Sequence, residues 1–209
     1  MTSSCRASAR GFTLIELLVV ITIIGLLAGL AFPAIAKVME TAKKAEASAM
    51  INQLRVSLTA YQTEYGTWPY GLTNNGAATT DLEVDSGPKD PPPSLYETLI
   101  SKKTGTNYPA DNPRGIVFME FNTKVLRASV ANEAAAKTPL GTGIAAAFVD
   151  PWNQPYRFKA DVDYDNKLEN LPGDITTINA SLAIWSRGVQ KTGWNLEVNP
   201  KKNFVMSWK

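Results

Sequence analysis

Twenty consecutive residues without a charge, Leu17 to Ala36, set the first condition on this chain. At ~1.5 Å rise per residue they make a helix ~30 Å long, the thickness of a bilayer's hydrocarbon core. Such a run reads as a membrane helix. One carboxylate, Glu16, stands at its start, six residues after Arg10. A charge held against lipid is costly, so something must offset it. Arg6 and Arg10 precede the run, and the first basic residue beyond it is Lys37. That asymmetry puts the N-terminus on the cytoplasmic side and the body of the protein on the other.

The residues around Glu16 narrow the reading. Gly11-Phe12-Thr13-Leu14-Ile15-Glu16, after a short basic leader and before an apolar helix, resembles the processing signature of type IV prepilins and type II secretion pseudopilins. The resemblance implies that a membrane peptidase cuts between Gly11 and Phe12 and methylates the new amino terminus at Phe12. Glu16 then becomes the fifth residue of the mature chain, the position that the family uses for subunit registry. An ordinary secretory signal fits poorly: the apolar stretch is too long, no small-x-small site follows it cleanly, and Glu16 is out of place. A plain single-span anchor explains the hydrophobicity but not Gly11, Phe12 and Glu16 together.

Composition excludes several function classes. The chain carries 21 basic and 19 acidic residues, and loss of Arg6 and Arg10 with the leader leaves 19 against 19. A nearly neutral mature protein is not expected to bind nucleic acid through a broad basic surface, and low net charge weakly favours packing of copies. Histidine is absent, which removes His-based triads and most His-ligand metal sites. The single cysteine, Cys5, lies in the leader, so the mature chain forms no disulfide.

Four segments follow: a leader over 1–11, a membrane and filament-core helix over 12–36, an amphipathic continuation over 37–65, and a globular head over 66–209. Gly25, Gly29 and Pro33 fall on nearly one helical face. The glycines could pack closely, and Pro33 either bends the helix or is a tolerated membrane proline. Beyond Lys37, the apolar residues Ala47, Ile51, Leu54, Leu58, Tyr61 and Tyr65 recur at helical steps, opposite Asn52, Arg55, Gln62 and Glu64. Gly66 and Pro69 supply the stop. A continuous helix from Phe12 to Tyr65 would extend ~80 Å, more than a small domain covers alone, so half of it must meet lipid or other subunits.

Tyr70 to Pro93 reads as a loop. Ser94 and Glu97 form a capping-box pattern that predicts a short helix ending near Gly105. Ile116 to Phe121 reads as a strand, and Ala128 to Lys137 stays ambiguous between helix and exposed connection. Phe148 to Tyr156, with Asp150-Pro151-Trp152-Asn153-Gln154-Pro155 at its heart, is a turn opening into a strand at Tyr156 to Lys159. It resembles the DPWGNPY segment of major pseudopilins, with Asn153-Gln154 in place of Gly-Asn. SLAIWS (181–186) and FVMSW (204–208) match later strands of that family. Long helix, loop, then antiparallel strands is an α+β, pilin-like architecture.

Asp161, Asp163 and Asp165 place oxygen ligands at alternate positions, as a calcium loop would, but Asn166 and Pro172 stand where an EF-hand has its glycine and glutamate. The turn is either solvated or a cation site. Major pseudopilins hold calcium in a C-terminal loop, whose counterpart here, Gln190 to Asn195, is not acidic. Trp68, Trp152, Trp185, Trp194 and Trp208 suit core or interface positions. With no nucleophile beside a base, no phosphate loop and no strong metal cluster, the chain is not expected to be an enzyme or to need a cofactor. The resemblance implies a structural subunit of a type II secretion pseudopilus that polymerises with identical copies. Its partners would be the prepilin peptidase, the inner-membrane secretion platform and the membrane itself. The alternatives are a major or minor type IV pilus subunit, or a membrane-anchored binding protein.

Overall fold

The computed structural model describes residues 12–73, 76–86, 94–103, 109–127, 147–172, 175–188 and 204–208, with the side chains of 30–34 left aside. Gly11, the Pro33 side chain, the Pro91-Pro92-Pro93 run, the expected helix end at Gly105, Ala128 to Lys137, and Gln190 to Asn195 with Trp194 therefore lie outside the described residues. The chain divides into two compact units, Met1–Ala42 and Lys43–Lys209. A long helix, α1 (Leu14–Tyr65), contributes to both.

In the first unit every described residue from Phe12 to Gly29 is exposed, including Phe12 at 75% and Leu14 at 82%. Thr22 turns its hydroxyl back onto the Leu18 carbonyl at 2.7 Å, so it adds no unsatisfied donor to the apolar surface. A Cβ placed on Gly25 or Gly29 would meet nothing within 4 Å. The apolar stretch of helix with described side chains runs ~24 Å from Leu14 to Gly29, and described side chains resume at Ile35. Among the described residues no helix is long and apolar enough to cross a membrane.

In the second unit, the helical stripe forms one side of the core. Ala47, Ile51, Leu54, Leu58 and Tyr61 are buried, while Asn52, Arg55 and Glu64 are exposed. Each buried aliphatic contributes roughly 1.5–3 kcal/mol. The helix ends because Gly66 takes φ +72 and donates its amide to the Gln62 carbonyl at 2.8 Å, a left-handed cap that glycine adopts without strain.

Facing this stripe is a four-stranded antiparallel sheet of β1 (Glu83–Asp85), β4 (Arg157–Ala160), β7 (Leu182–Ser186) and β8 (Val205–Met206), in the order β1-β4-β7-β8. Phe158 pairs with Val84 on one side and Ile184 on the other, and Trp185 pairs with Met206. Strands β2 (Leu126–Arg127) and β3 (Ala147–Phe148) form one small ladder, and β5 (Leu168–Leu171) and β6 (Ile175–Ile178) form a hairpin. One core joins Ile51, Leu54 and Leu58 to Phe148, Phe158 and Ile184. A smaller cluster packs Leu168 and Leu171 of the hairpin against Ala183 and Trp185. This is the expected α+β layout.

Three local expectations need correction. The stretch from Tyr70 to Pro93 is not loop throughout, because Glu83–Asp85 pairs with β4 as an edge strand whose polar residues give no sign of it in sequence. Ile116 to Phe121 forms no strand. The amides of Phe118 and Met119 both donate to the Leu99 carbonyl, at 2.9 and 3.2 Å, and Ser57 Oγ donates to the Phe118 carbonyl at 3.0 Å. Its residues show no two-residue burial period, with Met119 buried but Val117 on the same side exposed, and the end of α2 and a side chain of α1 take the place of a neighbouring strand. The second helix, α2 (Leu95–Leu99), stops well before Gly105. Its capping box is present, with Ser94 Oγ accepting the Glu97 amide and Glu97 accepting the Ser94 amide. Ser101, at φ 54, then closes it: the Lys102 amide reaches the Glu97 carbonyl and the Ser101 amide the Thr98 carbonyl. That two-bond closure normally uses glycine or asparagine, so the sequence carries no stop signal there.

The start of α2 packs against Gly71, where a Cβ would lie 2.7 Å from the Leu95 backbone nitrogen. Backbone cannot step aside as a flexible side chain can. Gly71→Ala should therefore cost about 2–4 kcal/mol, read as a lowered midpoint in denaturant unfolding of the full-length protein in detergent. An unchanged midpoint would contradict this packing.

Candidate functional site

At the N-terminus, the sequence Thr13-Leu14-Ile15-Glu16 caps its own helix. Glu16 Oε2 accepts the Thr13 amide at 2.8 Å and the Thr13 hydroxyl at 2.6 Å, and the Glu16 amide donates back to Thr13 Oγ1 at 3.3 Å. This is a reciprocal capping box, and a carboxylate there also faces the positive end of the helix dipole. The carboxylate at the edge of the apolar run is thus held by local donors. The T-x-x-E pattern ahead of an apolar stretch signals this cap in sequence. Beside it Phe12, the expected mature terminus, is exposed.

The acidic turn lies between β4 and β5. Asp161 and Asp163 come together with Asp81, whose carboxylate oxygen lies within 4.8 Å of theirs. Asp81 is far away in sequence, in a region read as loop, and no spacing pattern could have found it. Asp165 is turned elsewhere, accepting the Lys167 amide at 2.8 Å. Asp161, 4% exposed, accepts the amides of Asp165 at 3.2 Å and Asn166 at 2.9 Å, and Asp81 accepts the Val162 amide at 2.9 Å. Trp68 adds a bond from Nε1 to the Asp161 carbonyl at 2.8 Å. Burial raises the Asp81 pKa, helped by Asp163 and Asp161 and opposed by the Val162 amide and Lys159.

Three converging carboxylates are a donor set that a hard cation accepts. Here, however, the oxygens already hold the turn together through backbone amides, while Tyr164 and Asn166 take left-handed φ values of 61 and 59. The arrangement is accounted for as a stapled turn. Removing calcium with chelator should accordingly leave the thermal midpoint of the full-length protein within ~1 °C. A ligand at one hundred times its dissociation constant would add about 2.7 kcal/mol, so a midpoint several degrees higher in calcium would contradict the stapled-turn account.

The pseudopilin-like turn is ordered by Asp150. Its Oδ1 accepts the amides of Trp152 at 2.9 Å and Gln154 at 2.8 Å, and its Oδ2 accepts the Ser186 hydroxyl. Asn153 stands at φ 61, the left-handed region that asparagine tolerates better than most residues, and its side chain accepts from Arg127 Nη2 at 2.8 Å. Asparagine thus fills the place of the glycine in the resembling motif. Of the tryptophans, Trp68 and Trp185 are buried, each 2% exposed, Trp152 and Trp208 are half-buried, and Trp208 meets Trp185 edge-on at 5.9 Å.

Known proteins match along the same lines. The prokaryotic N-terminal methylation motif matches residues 6–32. A fimbrial protein of Neisseria meningitidis serogroup B is 39% identical over 71 residues, 34% of this chain and 42% of that protein. A type IV major pilin protein PilE1 of Neisseria gonorrhoeae is 36% identical over 75 residues, 36% of this chain and 46% of the relative. The chain thus spans less than half the length of these pilins. The type II secretion system core protein G of Pectobacterium carotovorum subsp. carotovorum is 33% identical over 105 residues, 50% of this chain and 67% of that protein. No solved structure matches. A methylation motif at the head of a long helix, an antiparallel sheet laid on that helix, and relatives of both kinds lead to one conclusion: the chain belongs to the type IV pilin-like family.

Proposed function

We propose that the chain is a structural subunit of a type II secretion pseudopilus. It would be cut between Gly11 and Phe12 by the prepilin peptidase and methylated at Phe12. The N-terminal helix then anchors it in the inner membrane, with the N-terminus cytoplasmic and the head periplasmic. From that reservoir it joins identical copies in a filament built on the inner-membrane secretion platform. The observation that carries this reading is the exposed apolar helix of the first unit, capped by Thr13 and Glu16 and offering no partner surface of its own from Phe12 to Gly29. Such a surface is stable only in lipid or against other helices. Pro33, inside that helix, is the position proposed to loosen it on assembly.

Two features favour the pseudopilus. The match to core protein G takes in half of this chain, against about a third for the pilins, and the Asp150 turn resembles a segment of major pseudopilins. A type IV pilus subunit, major or minor, is the second reading, favoured by the several pilin relatives. Neither reading involves catalysis, a cofactor or nucleic acid.

Within this reading Glu16 serves assembly. No lysine or arginine lies between Phe12 and Ala36, so the positive charge that meets it is the amino terminus of Phe12, its own or an incoming neighbour's. The pair would favour the register that brings the two together. Glu16→Ala should leave membrane insertion, cleavage and the head intact while filament yield falls by about tenfold or more, measured by immunoblot of sheared filaments against membrane-held monomer. Glu16→Gln retains an acceptor for the cap but no charge, and should fail in the same way. Wild-type yield from a correctly cleaved Glu16→Ala would refute the assembly role, and rescue by glutamine alone would reduce it to helix capping.

A further inference from the structure

Asp150 is 3% exposed and Ser186 is fully buried, yet the two link distant parts of the second unit. Asp150 lies in the turn between β3 and β4, and Ser186 ends β7. Among the described residues the groups that hold the carboxylate are neutral: the Trp152 and Gln154 amides on Oδ1, the Ser186 hydroxyl on Oδ2, and the Gly188 amide. Ser186 Oγ in turn accepts the Gly188 amide at 3.0 Å. Tyr156, at the entrance of β4, faces Asp150, and Glu46 of α1 faces Tyr156. Of the nearby cations, Arg127 gives Nη2 to Asn153 and Nη1 to the Lys124 and Leu126 carbonyls. Arg187, next to Ser186, sits among Arg157, Glu83 and Asp85.

A buried carboxylate held only by dipoles is costly as an anion. We propose that Asp150 and Ser186 form a proton-sensitive latch that ties the 150–154 turn to the end of β7 in both protonation states and holds more firmly in mildly acid surroundings, where its buried charge is lost. The step is uptake of one proton from solvent onto Oδ2. The neutral carboxyl and the Ser186 hydroxyl still share a hydrogen bond, while Oδ1 keeps the two turn amides. The connection survives and the buried charge is gone.

The direction of the effect follows from linkage. Burial outweighs the bonds from Ser186, Gln154, Trp152 and Gly188 and pushes Asp150 up to about 6, above its ordinary value of 3.8. The folded state therefore binds the proton more tightly than the unfolded chain. The cost of the anion is full above pH 6, declines as pH falls, and is gone below about pH 4. Between pH 7.5 and 4.5 this group alone should raise the folding equilibrium constant about 25-fold. Asp81 and Asp111, also raised by burial, act in the same direction, so the latch must be isolated by subtraction.

The test is denaturant unfolding of the full-length protein in detergent across this range, for the wild type and for Asp150→Asn. The wild type should gain about 25-fold more than the variant on acidification. Identical pH profiles would overturn the proposal. Should Asp150→Asn fail to fold, carboxyl carbon NMR of the wild type and Ser186→Ala reads the same group directly. A titration midpoint near 6 that rises when the Ser186 hydroxyl is removed supports the latch. A midpoint below 4.5, or one indifferent to Ser186→Ala, overturns it. The outcome does not depend on whether the chain forms a pseudopilus or a pilus.

Discussion

One helix in this protein must satisfy two different solvents. From Phe12 to Gly29 its apolar residues leave no polar face and all of them are exposed. From Ala47 to Tyr61 the apolar residues keep to a stripe, and that stripe is buried in the head's own core. Burial of the stripe fixes where the sheet can lie, because Phe158 and Ile184 must meet Ile51, Leu54 and Leu58. The uniformly apolar segment has no such use within the described residues. Under the proposed function that surface is covered by lipid or by other copies.

The second unit adds little regular structure to that core. Its strands are two to five residues long, so buried polar side chains do much of the joining. Asp111, whose pKa is raised by burial against its hydrogen bonds, accepts from the Tyr70 amide and the Thr98 hydroxyl, and its carbonyl accepts from Tyr61 Oη. Asn112 next to it donates to the carbonyls of Thr98 and Ile116 and accepts from Tyr65 Oη. Together they tie α1, α2 and the 109–116 turn into one network. Each group is satisfied, which is the condition under which buried polarity specifies a fold rather than weakening it. Asp150 does the same work between the 150–154 turn and β7, held among the described residues by neutral donors.

What the sequence revealed follows from range. The amphipathic half of α1, the Ser94 cap and the strand at Arg157–Ala160 depend on periodicity or on partners three residues apart, and the sequence states such patterns openly, whereas the strand at Leu182–Ser186 was legible through the family resemblance. β1, β5 and β6 were not anticipated: Glu83-Val84-Asp85 and Ile175–Ile178 are short and polar, and only tertiary pairing makes them strands. Ile116 to Phe121 has a strand's apolar, β-branched and aromatic composition but finds the end of α2 as its backbone partner. Ser101 ends α2 in a conformation that its side chain does not advertise. At the sites, Gly11, Phe12 and Glu16 stand out because the motif is local, whereas Asp81 joins Asp161 and Asp163 only through the fold. The Thr13–Glu16 box is equally local, a T-x-x-E pattern ahead of an apolar run.

The account's central claim is that the apolar helix begins a processed, membrane-held filament subunit. Intact-mass and N-terminal peptide mass spectrometry of the protein purified from its native membrane tests it most directly. The account predicts a chain that starts at Phe12 and carries one added methyl on its terminal amine. A chain that still begins at Met1, or one that begins beyond Ala28 as a secretory signal would leave it, would contradict it.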